Sequence, residues 1–156
     1  MSATTETTVT PETTTTQVYR IYIKATPEAV WEAITSADFT ERYFYGVRID
    51  TTADLRITHA YDGSDTYGED PVFEWDPPRR LVHGWHSKWN PELSAEEPSR
   101  VTWEIESQDG GLSKLTVTHD QLEGAPKTAA NVSGAGWMFV LSGLKTLVET
   151  GKPLGS

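Results

Sequence analysis

Four histidines are the side chains of this sequence best suited to moving protons near neutral pH. Three of them share strand parity with bulky apolar residues. His59 falls in phase with Leu55, Ile57 and Tyr61. His83 falls in phase with Leu81, Trp85, Ser87 and Trp89, and His119 with Leu115 and Val117. The apolar face of a strand turns inward, so these three imidazoles are expected inside and only His86 outside. An inward imidazole can orient a ligand or act as a general acid or base. It can equally be a neutral buried group bonded to a backbone carbonyl or to water. Zinc held by His59, His83 and His119 requires adjoining strands, and no ligand-spacing motif supports it. Neither metal nor cofactor is expected.

Other chemistry finds less support. Glu104 and Glu106 share a strand face with Thr102, which reads as solvated. Asp65, Glu69 and Asp70 lie in a Gly/Asp stretch without a full calcium-loop pattern. Gly134 and Gly136 lack the strand–turn–helix context of a dinucleotide site, and no serine sits in a nucleophile elbow. Six Trp and six Tyr against four Phe offer large apolar bodies with polar tips, which suit a wall facing an amphipathic guest. The expected wall is His59, Tyr61, Phe73, His83, Trp85, Trp89, Trp103, Val117, His119, Trp137, Leu141 and Leu144.

These residues need a sheet and a helix to position them. Trp137, Val140, Leu141, Leu144, Leu147 and Val148 recur at helical spacing, which predicts a long helix over about Val132–Thr150. Met138 and Phe139 widen its apolar stripe, and Gly151 and Pro153 stop it. Gln17–Lys24 alternates as a strand. Thr26-Pro27 starts a short helix through Val30, Trp31 and Ile34, and Ser36 starts a second one that ends at Gly46. Six further strands are predicted at Val47–Thr51, Leu55–Tyr61, Thr66–Trp75, Leu81–Trp89, Val101–Ser107 and Lys114–Leu122. Turn residues such as Asp62-Gly63, Asp76-Pro77-Pro78 and Asp109-Gly110-Gly111 separate them. Asn90–Ser99 and Glu123–Ala130 read as polar loops. Sequential strands with tight turns predict an antiparallel sheet, and the element order predicts an α+β domain.

Composition narrows the partners. The 156 residues suit one domain, with Met1–Thr16 as a disordered Thr-rich tail and 17–154 as the folded unit. The net charge of −10 opposes nucleic-acid binding, which needs a basic face. No segment approaches a membrane span, so no membrane insertion is expected. The absence of cysteine excludes disulfides and thiolate chemistry, and a cytoplasmic location is expected.

The element order and several motifs resemble the START-like, birch-pollen-allergen-like (SRPBCC) superfamily. Within it the chain is similar to single-domain bacterial relatives of the activator of the heat-shock protein 90 ATPase. The motifs are Thr26-Pro27-Glu28-Ala29-Val30-Trp31, Arg42-Tyr43-Phe44-Tyr45-Gly46 and Glu74-Trp75-Asp76-Pro77-Pro78-Arg79-Arg80-Leu81. They continue with Ser99-Arg100-Val101-Thr102-Trp103-Glu104, Leu115-Thr116-Val117-Thr118-His119, Gly136-Trp137 and Glu149-Thr150-Gly151. The resemblance implies a helix-grip fold: a curved seven-stranded sheet around the C-terminal helix, with a cavity between them. It implies binding of an apolar or aromatic small molecule, by a monomer or a homodimer, as the leading function. A polyketide cyclase/aromatase-like enzyme and a chaperone-interacting, stress-response protein are the alternatives. The eukaryotic co-chaperone carries a second, N-terminal domain where this sequence has its Thr-rich stretch.

Overall fold

A computed structural model describes residues 15–59, 66–87, 90–133 and 135–154. Strand β1 (Gln17–Ile23) is followed by helices α1 (Pro27–Thr35) and α2 (Ala37–Thr40). Five strands come next, broken once by helix α3 (Pro91–Ser94): β2 (Ile49–Thr51), β3 (Leu55–His59), β4 (Thr66–Asp76), β5 (Arg80–Trp85) and β6 (Ser99–Gln108). Strand β7 (Leu112–Asp120) and helices α4 (Pro126–Val132) and α5 (Ala135–Thr150) complete the chain. The strands form one antiparallel sheet in the order β1-β7-β6-β5-β4-β3-β2. Strands β2 to β7 thus run as a meander, and β1 pairs with its last strand. This is the α+β helix-grip fold. The expected tail at 1–16 lies outside the described residues up to position 14. Thr15 is described, and its carbonyl accepts from the Leu122 N–H at 3.4 Å.

Helix α1 starts as its sequence dictates. The Thr26 hydroxyl accepts from the Ala29 N–H at 3.2 Å, and Pro27 needs no partner in the first turn. Its buried residues Val30, Trp31, Ala33 and Ile34 face the core. Helix α2 is only four residues long. The chain then turns repeatedly and reverses through Tyr45 and Gly46, whose φ values are 54° and 74°.

The expected C-terminal helix is present as α5, ending at Thr150 as predicted. It starts three residues later than expected, at Ala135, and a separate helix α4 precedes it, the two divided at Ser133, which is extended at φ −68° and ψ 159°. Pro126 opens α4 within the stretch read as a loop, and α3 likewise starts at Pro91 behind an Asn90 cap. Both prolines mark first helical positions. In α5, Trp137, Val140, Leu141, Leu144 and Leu147 are buried as their spacing predicts. Met138 and Phe139 are exposed, so they do not widen the buried stripe. Gly143 passes so close to Tyr43 that an added Cβ would sit 3.0 Å from the Tyr43 Cβ. At the far end, Glu149 accepts from the Lys24 N–H and from Lys145 Nζ, both at 2.7 Å, tying α5 to the end of β1.

The tightest packing lies where α1 and α5 cover β1, β7 and β6. Ile23, Val101, Trp103, Ile105, Leu115, Val117 and Leu144 are all nearly inaccessible there. Tyr43 joins this core and donates its phenolic hydrogen to the Ala33 carbonyl at 2.7 Å. Burial pushes the phenol pKa up, so it remains a donor. Tyr43→Phe should lower unfolding stability by about 1–2 kcal/mol, because it strands a buried carbonyl near the end of α1. An unchanged urea midpoint would show that water reaches that carbonyl.

Candidate ligand cavity

Strand register decides which side chains meet over the sheet. One inward row runs His119, Val101, His83, Val72 across β7, β6, β5 and β4, and the next runs Val117, Trp103, Leu81, Trp75. Register shifts between Val72 and Glu74, which puts Val72 and Trp75 on the same face and sends Phe73 out. On β3, Arg56 pairs with Asp70 and Thr58 with Gly68.

His83 and His119 are buried, and both of their ring nitrogens are engaged. Trp103 Nε1–H donates to His83 Nε2 at 2.9 Å, so the His83 proton lies on Nδ1 and is donated to the Gly84 carbonyl at 2.7 Å. Trp137 Nε1–H donates to His119 Nδ1 at 3.1 Å, so the His119 proton lies on Nε2, 2.7 Å from Ser99 Oγ. The two histidines are therefore opposite neutral tautomers, each fixed by an indole. Burial, with the nearby Arg56 charge, holds His83 well below its ordinary value. His119 is pulled down to about 3 by burial and by Arg56, against an opposing pull from Asp120. Neither offers a free nitrogen to a guest or to a proton.

Beside this packed cluster lies a cavity of about 580 Å³. Phe44, Tyr45 and Val47, from the segment before β2, form one wall, and Ile49, Arg56, Thr58, Gly68 and Asp70 form the sheet side. Trp85, His86 and Ser87 close the end of β5, and Asn131, Val132, Gly136, Trp137 and Val140 line the α4–α5 side. Tyr45 and Asn131 are exposed, which places the mouth at their side. Tyr45 stacks on Phe139 there at 5.2 Å between ring centroids.

Arg56 is the polar group of this cavity that the sequence reading missed. It is 6% exposed, yet its guanidinium carbon lies 5.0 Å from the Trp85 ring and 5.7 Å from the Phe44 ring. Its ionic partner is Asp70, also buried, at 3.8 Å. His86, expected outside, lines the cavity as well, and its Nε2–H donates to the Ser94 carbonyl at 2.7 Å.

The expected wall divides into groups. Trp85 and Trp137 do line the cavity. His83, Trp103, Val117, His119, Leu141 and Leu144 belong to the solid core beside it. His59 does not point inward: it has the opposite parity from Arg56 and Thr58, and its Nε2 sits 3.2 Å from Asp50 Oδ2 near the sheet edge. Phe73 is 62% exposed, displaced from the interior by the irregularity after Val72. Tyr61 and Trp89 lie outside the described residues. Glu104 pairs with Arg80 on the outer face, as expected for a solvated position. Among the described residues no group of three or more potential metal ligands occurs, and no helix is long and apolar enough to cross a membrane.

The family model "Activator of Hsp90 ATPase homolog 1-like protein" matches residues 24–149. The chain belongs to this family. A search of curated proteins gives no match. Among solved structures, an HSP90 activator from Plasmodium falciparum is similar at TM-score 0.67 and 20% identity, covering 90% of this chain and 99% of that one. CalU16 from Micromonospora echinospora gives 0.64 and 22%, covering 90% and 77%. Protein MLL2253 from Mesorhizobium loti gives 0.66 and 20%, covering 85% and 96%. At these identities the likeness is one of fold. The family and fold suggest ligand-binding or Hsp90-activator-like roles.

Proposed function

We propose that this protein binds an apolar or aromatic small molecule in the cavity between the β2–β5 half of the sheet and the start of α5. One observation carries the reading. The β1, β7 and β6 half of the same sheet face is covered by nearly inaccessible side chains, whereas the other half keeps about 580 Å³ walled by Phe44, Trp85, Trp137 and Val140. That volume falls in the ordinary range for small-ligand sites, whose walls are mainly apolar with a few polar groups. The flat faces of Phe44 and Trp85 favour an aromatic body, which gains from offset or edge contacts.

The test uses an uncharged probe, N-phenylnaphthylamine. It should bind and quench tryptophan fluorescence, since Trp85 and Trp137 stand in the wall. Thr58→Phe places a ring in the cavity and should weaken the probe by about tenfold or more while the unfolding midpoint stays close to wild type. Equal affinity in Thr58→Phe would move the site elsewhere. No binding by the wild type would remove the ligand reading and favour a chaperone-facing role instead.

A further inference from the structure

We propose that Arg56 is the anchor for a carboxylate on that ligand, so that the cavity selects an apolar or aromatic acid over its neutral analogues. The inference rests on the cavity being a ligand site and adds the chemical class of the guest. A guanidinium always carries its charge and offers five N–H donors in a planar fork. Among the described residues the Arg56 fork makes no hydrogen bond. Phe44 and Trp85 lie near its carbon, at distances that suit cation–π contact and leave the N–H edge unoccupied. Asp70 stands 3.8 Å from Nη1, outside hydrogen-bond distance. It balances the charge of the free protein without filling the donors.

A second donor points the same way. Ser87 is buried and lines the cavity, and its oxygen accepts the Trp85 indole N–H at 3.1 Å. Its own hydroxyl hydrogen has no acceptor among the described residues. The interior therefore offers a surplus of donors beside aromatic walls, and a ligand that matches it brings acceptors. A carboxylate matches best, because it accepts two parallel bonds from one guanidinium and carries the opposite charge.

The experiment compares naphthylacetic acid with naphthylacetamide at neutral pH, using the neutral N-phenylnaphthylamine to report the cavity itself. The wild type should prefer the acid by about ten- to a hundredfold, the range of a charge-assisted bond. Arg56→Gln should abolish that preference and still bind the neutral probe. Because Arg56→Gln leaves Asp70 buried with a changed partner and can unfold the domain, Asp70→Asn provides an independent arm. It removes the competing carboxylate and should tighten the acid by several-fold while leaving the amide unchanged. Probe binding with no preference for the acid, or an acid preference that survives in Arg56→Gln, overturns the anchor and keeps the cavity. An acid affinity weakened by Asp70→Asn also overturns it. Failure of all three probes on the wild type overturns both readings.

Discussion

Lowering the pH from about 8 to about 5 is expected to destabilise this domain by about 2 kcal/mol through His119, with a slope near 1.4 kcal/mol per pH unit below pH 6.5, and His83 adds to the loss in the same direction. Both have native values depressed below the ordinary 6.5, His119 to about 3 and His83 well below that ordinary value. Above pH 6.5 the imidazoles are neutral in both the native and the unfolded state, and their contribution is flat. Below it the unfolded chain binds a proton at each position and the native protein does not, so stability falls with falling pH. At about pH 5 the loss through His119 is about 2 kcal/mol, and the depressed His83 adds to it. That is a large share of the roughly 5–15 kcal/mol that holds a domain folded.

Glu96 and Glu149 act at lower pH than this window. Burial pushes Glu96 up, but bonds from the Lys127 N–H and from Thr128 pull it below its ordinary 4.5. The Lys145 ammonium and the Lys24 N–H hold Glu149 low as well. Their stabilising effect is complete above 4.5 and is lost only as the pH drops through their native values. Urea unfolding at about pH 8 and about pH 5 measures the difference. Imidazole nitrogen NMR should show His83 with its proton on Nδ1 and His119 with its proton on Nε2, unchanged at the lower pH. Equal stability at the two pH values would mean that the native state accepts these protons, and the indole–imidazole pairs would then be misassigned.

The physical reason these histidines were legible only in part is the reason the rest of the site was not. On β5, β6 and β7 the inward side is core, so strict alternation of apolar residues gives the parity and with it His83 and His119. On β3 that rule fails, because the side facing inward there borders a cavity rather than packed core. Leu55 and Ile57 look like the inner set, yet Arg56 and Thr58 are the ones the cavity uses. A buried arginine inside an alternating strand carries no local signal. It is betrayed only by Asp70 across the hairpin, and that pairing depends on a register that the sequence does not state. Phe73 failed for a related reason: one irregular step after Val72 reverses everything beyond it. The break at Ser133 had a visible cue in Pro126, a first-turn residue that the polar composition around it masked.

Trp137→Ala is expected to cost about 3–5 kcal/mol, as the loss of a large buried aromatic does. The indole is 2% exposed and contacts the rings of Trp103, Trp85 and His119 at 5.5, 5.6 and 6.0 Å. It belongs at once to the solid core and to the cavity wall, so its removal opens one into the other. Trp137→Phe separates the two losses. The phenyl ring keeps much of the packing but supplies no N–H, leaving His119 Nδ1 without its donor at a cost of about 1–3 kcal/mol. That cost should be largest near pH 8. As the pH falls, a His119 no longer facing an indole donor binds a proton more readily, so the gap between Trp137→Phe and wild type should narrow toward pH 5. The uncharged probe should still bind to Trp137→Phe, since Phe44 and Trp85 remain in the wall. A gap that is constant across pH would assign the cost to packing alone. A Trp137→Ala midpoint close to wild type would show that the core and the cavity are energetically separate.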